Sequence, residues 1–220
     1  MDQVLVIGAS GGIGSALCDA LAAEGYDVLQ LSRSADGFDI TDEACVDRHL
    51  SDLSGLSGVI VATGALEVDG IAPEKSVKTI QARAMADQFN INAIGPALVL
   101  KHMGRMLRRD KRAFFAVLSA RVGSIGDNRL GGWVSYRAAK AALNQIVHTG
   151  AIEIARSHPQ SICVSLHPGT VQTSFTEKYA ARHATVPAPE AAGNLLRVID
   201  TLTPAETGKF FDWSGAQVPW

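Results

Sequence analysis

Short apolar runs, bounded by glycine, proline or small polar residues, alternate along this chain with stretches whose apolar residues recur every three to four positions. Val4-Leu5-Val6-Ile7 is the first run, and Ile13, Ala16, Leu17, Ala20 and Leu21 follow it at helical spacing. Val28–Leu31, Gly58–Ala62, Ala113–Leu118, Ser161–Leu166 and Gly208–Phe211 read as further strands. Helical patterns lie between them, notably from about Ser76 to Arg109, from about Val134, and from Pro189 to about Leu202. Uninterrupted apolar strands joined by helices are the signature of a parallel sheet covered on both faces, an α/β fold. Between Arg33 and Asp39 the pattern leaves no room for a helix, so Gly37–Ile40 is expected as a short third strand, with a helix opening at Thr41-Asp42-Glu43. That gives a sheet of about seven strands.

The turn out of the first strand is Gly8-Ala9-Ser10-Gly11-Gly12-Ile13-Gly14. Amide groups at a helix start favour a phosphate, and glycines let the backbone approach a pyrophosphate. The spacing is G-x-x-x-G-x-G instead of the dinucleotide fingerprint G-x-G-x-x-G, so a glycine-rich turn without a ligand stays open as the alternative. Ser32-Arg33-Ser34 stands just past the second strand, where ligands bind in open α/β sheets. An arginine between two hydroxyls, with no acidic residue opposing it, suits a 2′-phosphate and points to NADP(H) over NAD(H), unless it is a solvated surface arginine. In the long stretch up to Arg109, Asn90, Asn92 and Gly95-Pro96 are poor helix-interior residues and predict a kink near Asn92, as a site feature or a packing kink. From Val134 on, Tyr136 and Lys140 lie one turn apart on one helical face.

Composition narrows the partners. A net charge of −2 over 220 residues, with 47% hydrophobic, fits one well-filled domain over 1–220 and argues against nucleic acid or an anionic membrane surface. A small-molecule partner is expected instead. Cys18, Cys45 and Cys163 are scattered, which suggests neither disulfides nor a zinc site, and no histidine pair has metal-binding spacing; a reducing, cytoplasmic location follows. Met1-Asp2-Gln3 carries no basic leader, and the apolar runs are too short to span a bilayer.

Taken together, these residues resemble the short-chain dehydrogenase/reductases. Gly8-x-x-x-Gly12-Ile13-Gly14 is similar to that family's cofactor loop, Asn92 to its kink asparagine, Tyr136-x-x-x-Lys140 to its catalytic pair, and Pro168-Gly169-x-x-x-Thr173 to its nicotinamide-side turn. Ser119–Ser124, Gly131-Gly132-Trp133 and the ending Gly215–Trp220 resemble the compact C-factor and sniffer-type carbonyl reductase branch. The resemblance implies a Rossmann-type, doubly wound single domain that moves a hydride between NADP(H) and a small carbonyl or alcohol. It leaves no residues for the separate substrate domain of an extended epimerase-type relative. A binding protein that signals or senses redox state through NADP(H), with little turnover, is the alternative.

By the same resemblance the cofactor contacts are Gly8, Ser10, Gly11, Gly12, Ile13, Gly14, Ser32, Arg33, Asp39, Ile40, Ala62, Thr63, Gly64, Tyr136, Lys140, Pro168, Gly169, Val171 and Thr173. Tyr136 is the proton donor, Lys140 lowers its pKa and holds the nicotinamide ribose, and Asn92 anchors a relay water. The stretch 174–187 is the expected substrate lid, and the long helices around Asn92 and Tyr136 the expected faces of a homodimer or homotetramer. The chain departs from the family at Ala62-Thr63-Gly64, which replaces Asn-Ala-Gly, and at Ala120, where a substrate-orienting serine belongs. Ser119 and Ser124 are the candidate substitutes; Ser124, in a loop, is favoured, because side-chain alternation turns Ser119 away.

Overall fold

In the computed structural model, which describes residues 1–173 and 185–220, six parallel strands form one sheet in the order β2-β1-β3-β4-β5-β8. They are β1 (Gln3–Ile7), β2 (Asp27–Leu31), β3 (Gly58–Val61), β4 (Ala113–Leu118), β5 (Ser161–His167) and β8 (Phe210–Asp212). A separate parallel pair joins β6 (Val171–Gln172) to β7 (Val186–Pro187). Side chains alternate across each strand, and the two sets feed different layers. Val4, Val6, Ile60, Ala116 and Val164 face α1 (Gly12–Ala23) and α8 (Ala188–Thr201). Leu5, Ile7, Val59, Phe115 and Cys163 face α3 (Glu43–Leu50), α5 (Gly95–Leu100) and α7 (Val134–Ala155). Both faces being covered is why the central strands read as unbroken apolar runs.

The stretch after β2 differs from expectation. Arg33–Asp36 closes a single helical turn, α2, and Gly37–Ile40 joins no ladder. Ser32 begins the turn by accepting the Ala35 amide at 3.2 Å, and Gly37 ends it in the left-handed region at φ 66°. Phe38 and Ile40 alternate like a strand because both are buried, but they pack into the α3 layer without pairing. The large sheet therefore has six strands, the further pairing coming from β6 and β7.

The kink falls where proline, glycine and asparagine predict it. After α4 (Ala82–Phe89), residues Asn90–Ile94 form one wide π turn before α5, and the short helix α6 (Met103–Met106) follows. Such wide turns often mark functional positions. β1 pairs with β2 on one side and β3 on the other, so the chain reverses its winding at the carboxyl end of β1. Ligands of open α/β sheets sit at that point.

Candidate active site

A cleft of about 670 Å³ opens along the carboxyl ends of β1, β3, β4 and β5. Gly11, Gly12 and Ile13 form one wall at the start of α1, whose first turn has no side-chain cap. Backbone donors at an uncapped helix start, facing a cavity, suit an anion. Close packing requires glycine at Gly14, and backbone conformation requires it at Gly8. A Cβ on Gly14 would stand 2.1 Å from the Gly8 carbonyl oxygen, and one on Gly12 2.6 Å from the Thr173 methyl. Gly8 itself adopts φ 88°, and Ser10 is exposed beside it. Ala62, Thr63 and Gly64 also line the cleft, as do Pro168, Gly169, Val171 and Thr173, the last packed against Gly12. The Thr63 Oγ1 and His167 Nδ1 atoms are buried on these walls without a hydrogen-bond partner among the described residues.

α7 delivers Tyr136 and Lys140 into the same cleft, both buried. The Lys140 Nζ lies 5.9 Å from the Tyr136 ring centre and donates to the Leu118 carbonyl at 2.8 Å. Burial raises the Tyr136 phenol well above its ordinary range and pushes Lys140 down to about 7. Asn92 is wholly buried in the π turn: its Oδ1 accepts the Ala65 amide at 3.1 Å, and its Nδ2 donates to the Ala65 carbonyl and to Gln88 Oε1. Gly64 is packed between Asn92 and Lys140, 3.2 Å and 3.5 Å from where its Cβ would be. The Asn92 side chain thus holds the loop after β3 against the π turn.

The end of β2 adds an acidic group that sequence spacing concealed. Asp36 accepts the Ser32 amide at 2.8 Å and the Ser32 hydroxyl at 3.3 Å. Arg33 is exposed. The Ser32 donors expected for a 2′-phosphate are therefore engaged by a carboxylate in this structure. Asp36 meets Ser32 only because Arg33–Asp36 closes a helical turn, which the pattern of this stretch does not predict. Asp39 accepts from the Thr41 hydroxyl and amide, which hold its carboxyl below the usual range, and Ile40 is buried beneath Gly95.

Residues 4–153 match the model of the NAD dependent epimerase/dehydratase family. The C-signal protein of Myxococcus xanthus is 41% identical over 137 residues, 62% of this chain and 78% of that one. The chain belongs to the short-chain dehydrogenase/reductase family. Across the whole of both chains it is 28% identical to a Rhodococcus sp. (strain AD45) relative, 1-hydroxy-2-glutathionyl-2-methyl-3-butene dehydrogenase. The fold is also that of the NADPH-bound carbonyl reductase from chicken fatty liver, with a TM-score of 0.83, 22% identity and coverage of 100% of this chain and 94% of that one.

Within this short-chain dehydrogenase/reductase, Ala120 stands extended at the end of β4 on the cleft wall. Ser119 turns its hydroxyl to Asn144 Oδ1 at 2.7 Å, under α7. Ser124, the favoured substitute, is buried and accepts the Asp127 amide at 3.0 Å; it does not line the cleft. Its loop turns back on itself because Arg121 pairs with Asp127 at 2.6 Å. Of the two serines Ser119 lines the cleft beside Ala120, with its hydroxyl donated to Asn144, and Ser124 does not line it. Gln88, Glu74 and Asn144, buried supports of the site, escaped sequence reasoning, although Gln88 precedes Asn92, and Asn144 follows Lys140, by one helical turn. Of the expected lid, 174–184 lies outside the described residues, and Val186–Pro187 forms β7. Among the described residues no cluster suits a metal ion, and no helix is long and apolar enough to cross a membrane.

The buried lysine carries a pH signature. Below about 7 the folded chain must bury an ammonium; between about 7 and the ordinary 10.5 the unfolded chain binds one more proton, so wild-type stability climbs with pH. Lys140→Met lacks that slope. Its melting temperature is expected to exceed the wild type's at pH 6 by a margin that shrinks toward pH 9. A margin independent of pH would show that Lys140 titrates normally.

Proposed function

We propose that this chain is an NADP(H)-dependent oxidoreductase, a carbonyl reductase in type, that moves a hydride between the nicotinamide and a small carbonyl or alcohol substrate. The observation that carries this reading is the buried Tyr136–Lys140 pair on the wall of the same cleft as the uncapped start of α1. The dehydrogenase relative and the NADPH-bound carbonyl reductase fold support it. The glycine cradle and the Thr63 hydroxyl, which has no partner among the described residues, fit a dinucleotide. Gly11, Gly12 and Ile13 would hold its pyrophosphate, Arg33 its 2′-phosphate, and Lys140 its nicotinamide ribose. When bound, the dinucleotide supplies the hydride. Tyr136 donates a proton to the substrate oxygen as negative charge develops there, and an ammonium at Lys140 favours the phenolate left behind.

A panel of aldehydes, ketones and quinones, run with NADPH and with NADH, tests the reading. Turnover with NADPH is expected. The second reading, an NADP(H)-bound signalling protein, is favoured by Ala120 and by the C-signal relative; tight NADPH binding with a silent panel would select it. For the cofactor itself, Arg33→Ala should weaken NADPH by about 10- to 100-fold, one charge-assisted contact, and leave NADH nearly unchanged. Asp36→Asn should tighten NADPH, since the carboxylate occupies Ser32 and repels a phosphate. Fluorescence titration reads both, and NADH binding as tightly as NADPH would defeat the assignment.

A further inference from the structure

We propose that Glu74 is a positioning residue for Tyr136, a carboxylate 61 residues upstream of Ser135 that completes the start of α7 and so fixes the turn carrying the phenol. This rests on the oxidoreductase reading. Trp133 occupies the capping position of α7 in the left-handed region, at φ 53° and ψ 41°, with no side-chain cap bond. An indole has no acceptor to offer the amides of a first helical turn. Glu74 supplies it. Its carboxylate accepts the Ser135 amide at 3.2 Å and the Ser135 hydroxyl, and its backbone carbonyl accepts the Trp133 amide. An acceptor for the second amide of a helix is what a capping serine or aspartate normally provides, and a negative charge there also suits the helix dipole.

Glu74 is 9% exposed, so a bare carboxylate would be costly at this place without those bonds. Glu74 and Ser135 share a small pocket with Tyr136 and do not line the cleft. The loop that carries Glu74 also forms the cleft wall at Leu66 and Glu67, and is pinned at its start by Asn92 on Ala65 and by Gln88, which donates to the Leu66 carbonyl at 2.9 Å. One segment thus ties the π turn to the first turn of α7. Three successive left-handed residues, Gly131, Gly132 and Trp133, bring the chain into α7, and only the last is strained by its side chain. The Glu74 carbonyl holds it there.

Glu74→Ala is expected to lower kcat per NADPH-binding site by about tenfold or more, because small displacements of a reacting group are costly. The NADPH Kd and the carbonyl KM should stay within about twofold, and Glu74→Gln, which keeps an acceptor for Ser135, should recover most of the rate. A merely structural role would lower the melting temperature and the NADPH-competent fraction without changing turnover per competent site. Should Glu74→Ala fail to fold, Ser135→Ala, which removes the hydroxyl bond alone, is read the same way with a smaller loss. Hydrogen exchange at the Trp133 and Ser135 amides gives a readout independent of turnover and should quicken in Glu74→Ala. Unchanged exchange, or kcat per site within about twofold of wild type, overturns the proposal. Faster exchange with a wild type silent on every carbonyl overturns the oxidoreductase reading instead and leaves Glu74 as the clasp of α7.

Discussion

Tyr136→Phe is expected to lose a factor of about 10² to 10⁴ in kcat while binding NADPH as tightly as the wild type. The substitution removes one oxygen and keeps the ring, which is 6% exposed and packs edge-on against Trp133 with centres 6.3 Å apart, so the fold and the cleft survive it. Burial raises the phenol, so the hydroxyl stays protonated at neutral pH and is available as an acid. Lys140→Ala should damage binding and turnover together, since Lys140 is assigned both the ribose and the tuning of Tyr136. Single-turnover and steady-state rates on one simple aldehyde, with cofactor titration alongside, check both variants. Retention of more than about a tenth of wild-type turnover in Tyr136→Phe would remove the phenol from the role of acid.

The second large effect runs the other way. Ala120→Ser is expected to raise kcat/KM on a simple carbonyl by about 10- to 100-fold, because one preorganised donor to a developing oxyanion typically contributes about 10² to 10³ in rate. Ala120 lines the cleft at the end of β4, and both neighbouring serines are engaged: Ser119 is bound to Asn144 and Ser124 to the Asp127 amide. Ser124→Ala is accordingly expected to loosen the 121–127 turn and to leave kcat of the folded enzyme unchanged. Should Ala120→Ser leave kcat/KM where it was, the substrate oxygen is held from elsewhere in the cleft and the end of β4 has no part in it.

What the sequence made legible follows from which forces act locally. The strand runs and α7 were readable because burial on both faces writes itself as apolar continuity and helical period, and β4 spans Ala113–Leu118 as the pattern predicts. The kink at Asn90–Ile94 was readable because glycine and proline carry their backbone preferences with them. Gly37–Ile40 misled for the converse reason. Phe38 and Ile40 are buried like alternate residues of a strand, yet ladder pairing depends on a neighbour that no local pattern reveals. The Ser124 hydroxyl accepts the Asp127 amide, a bond inside a loop whose path carries no periodic signal. Asp36 and Glu74 were hidden because their partners, Ser32 and Ser135, are set by folding: one closes a turn that spacing ruled out, the other bridges 61 residues.

The strand order has a kinetic consequence. Every ladder of the main sheet is parallel, so none can zip from a hairpin: β1 meets β3 only after the chain from Ile7 to Gly58 has been gathered in, and β4 meets β5 only after the whole of α7. The entropy of closing such loops must be met before these parallel ladders form, which makes assembly slow and leaves Val4–Ile7 and Phe114–Leu118 without partners meanwhile. A cell making this protein quickly therefore faces its greatest hazard before the sheet closes, when the same bare strands that will build the cleft are free to meet another copy of themselves.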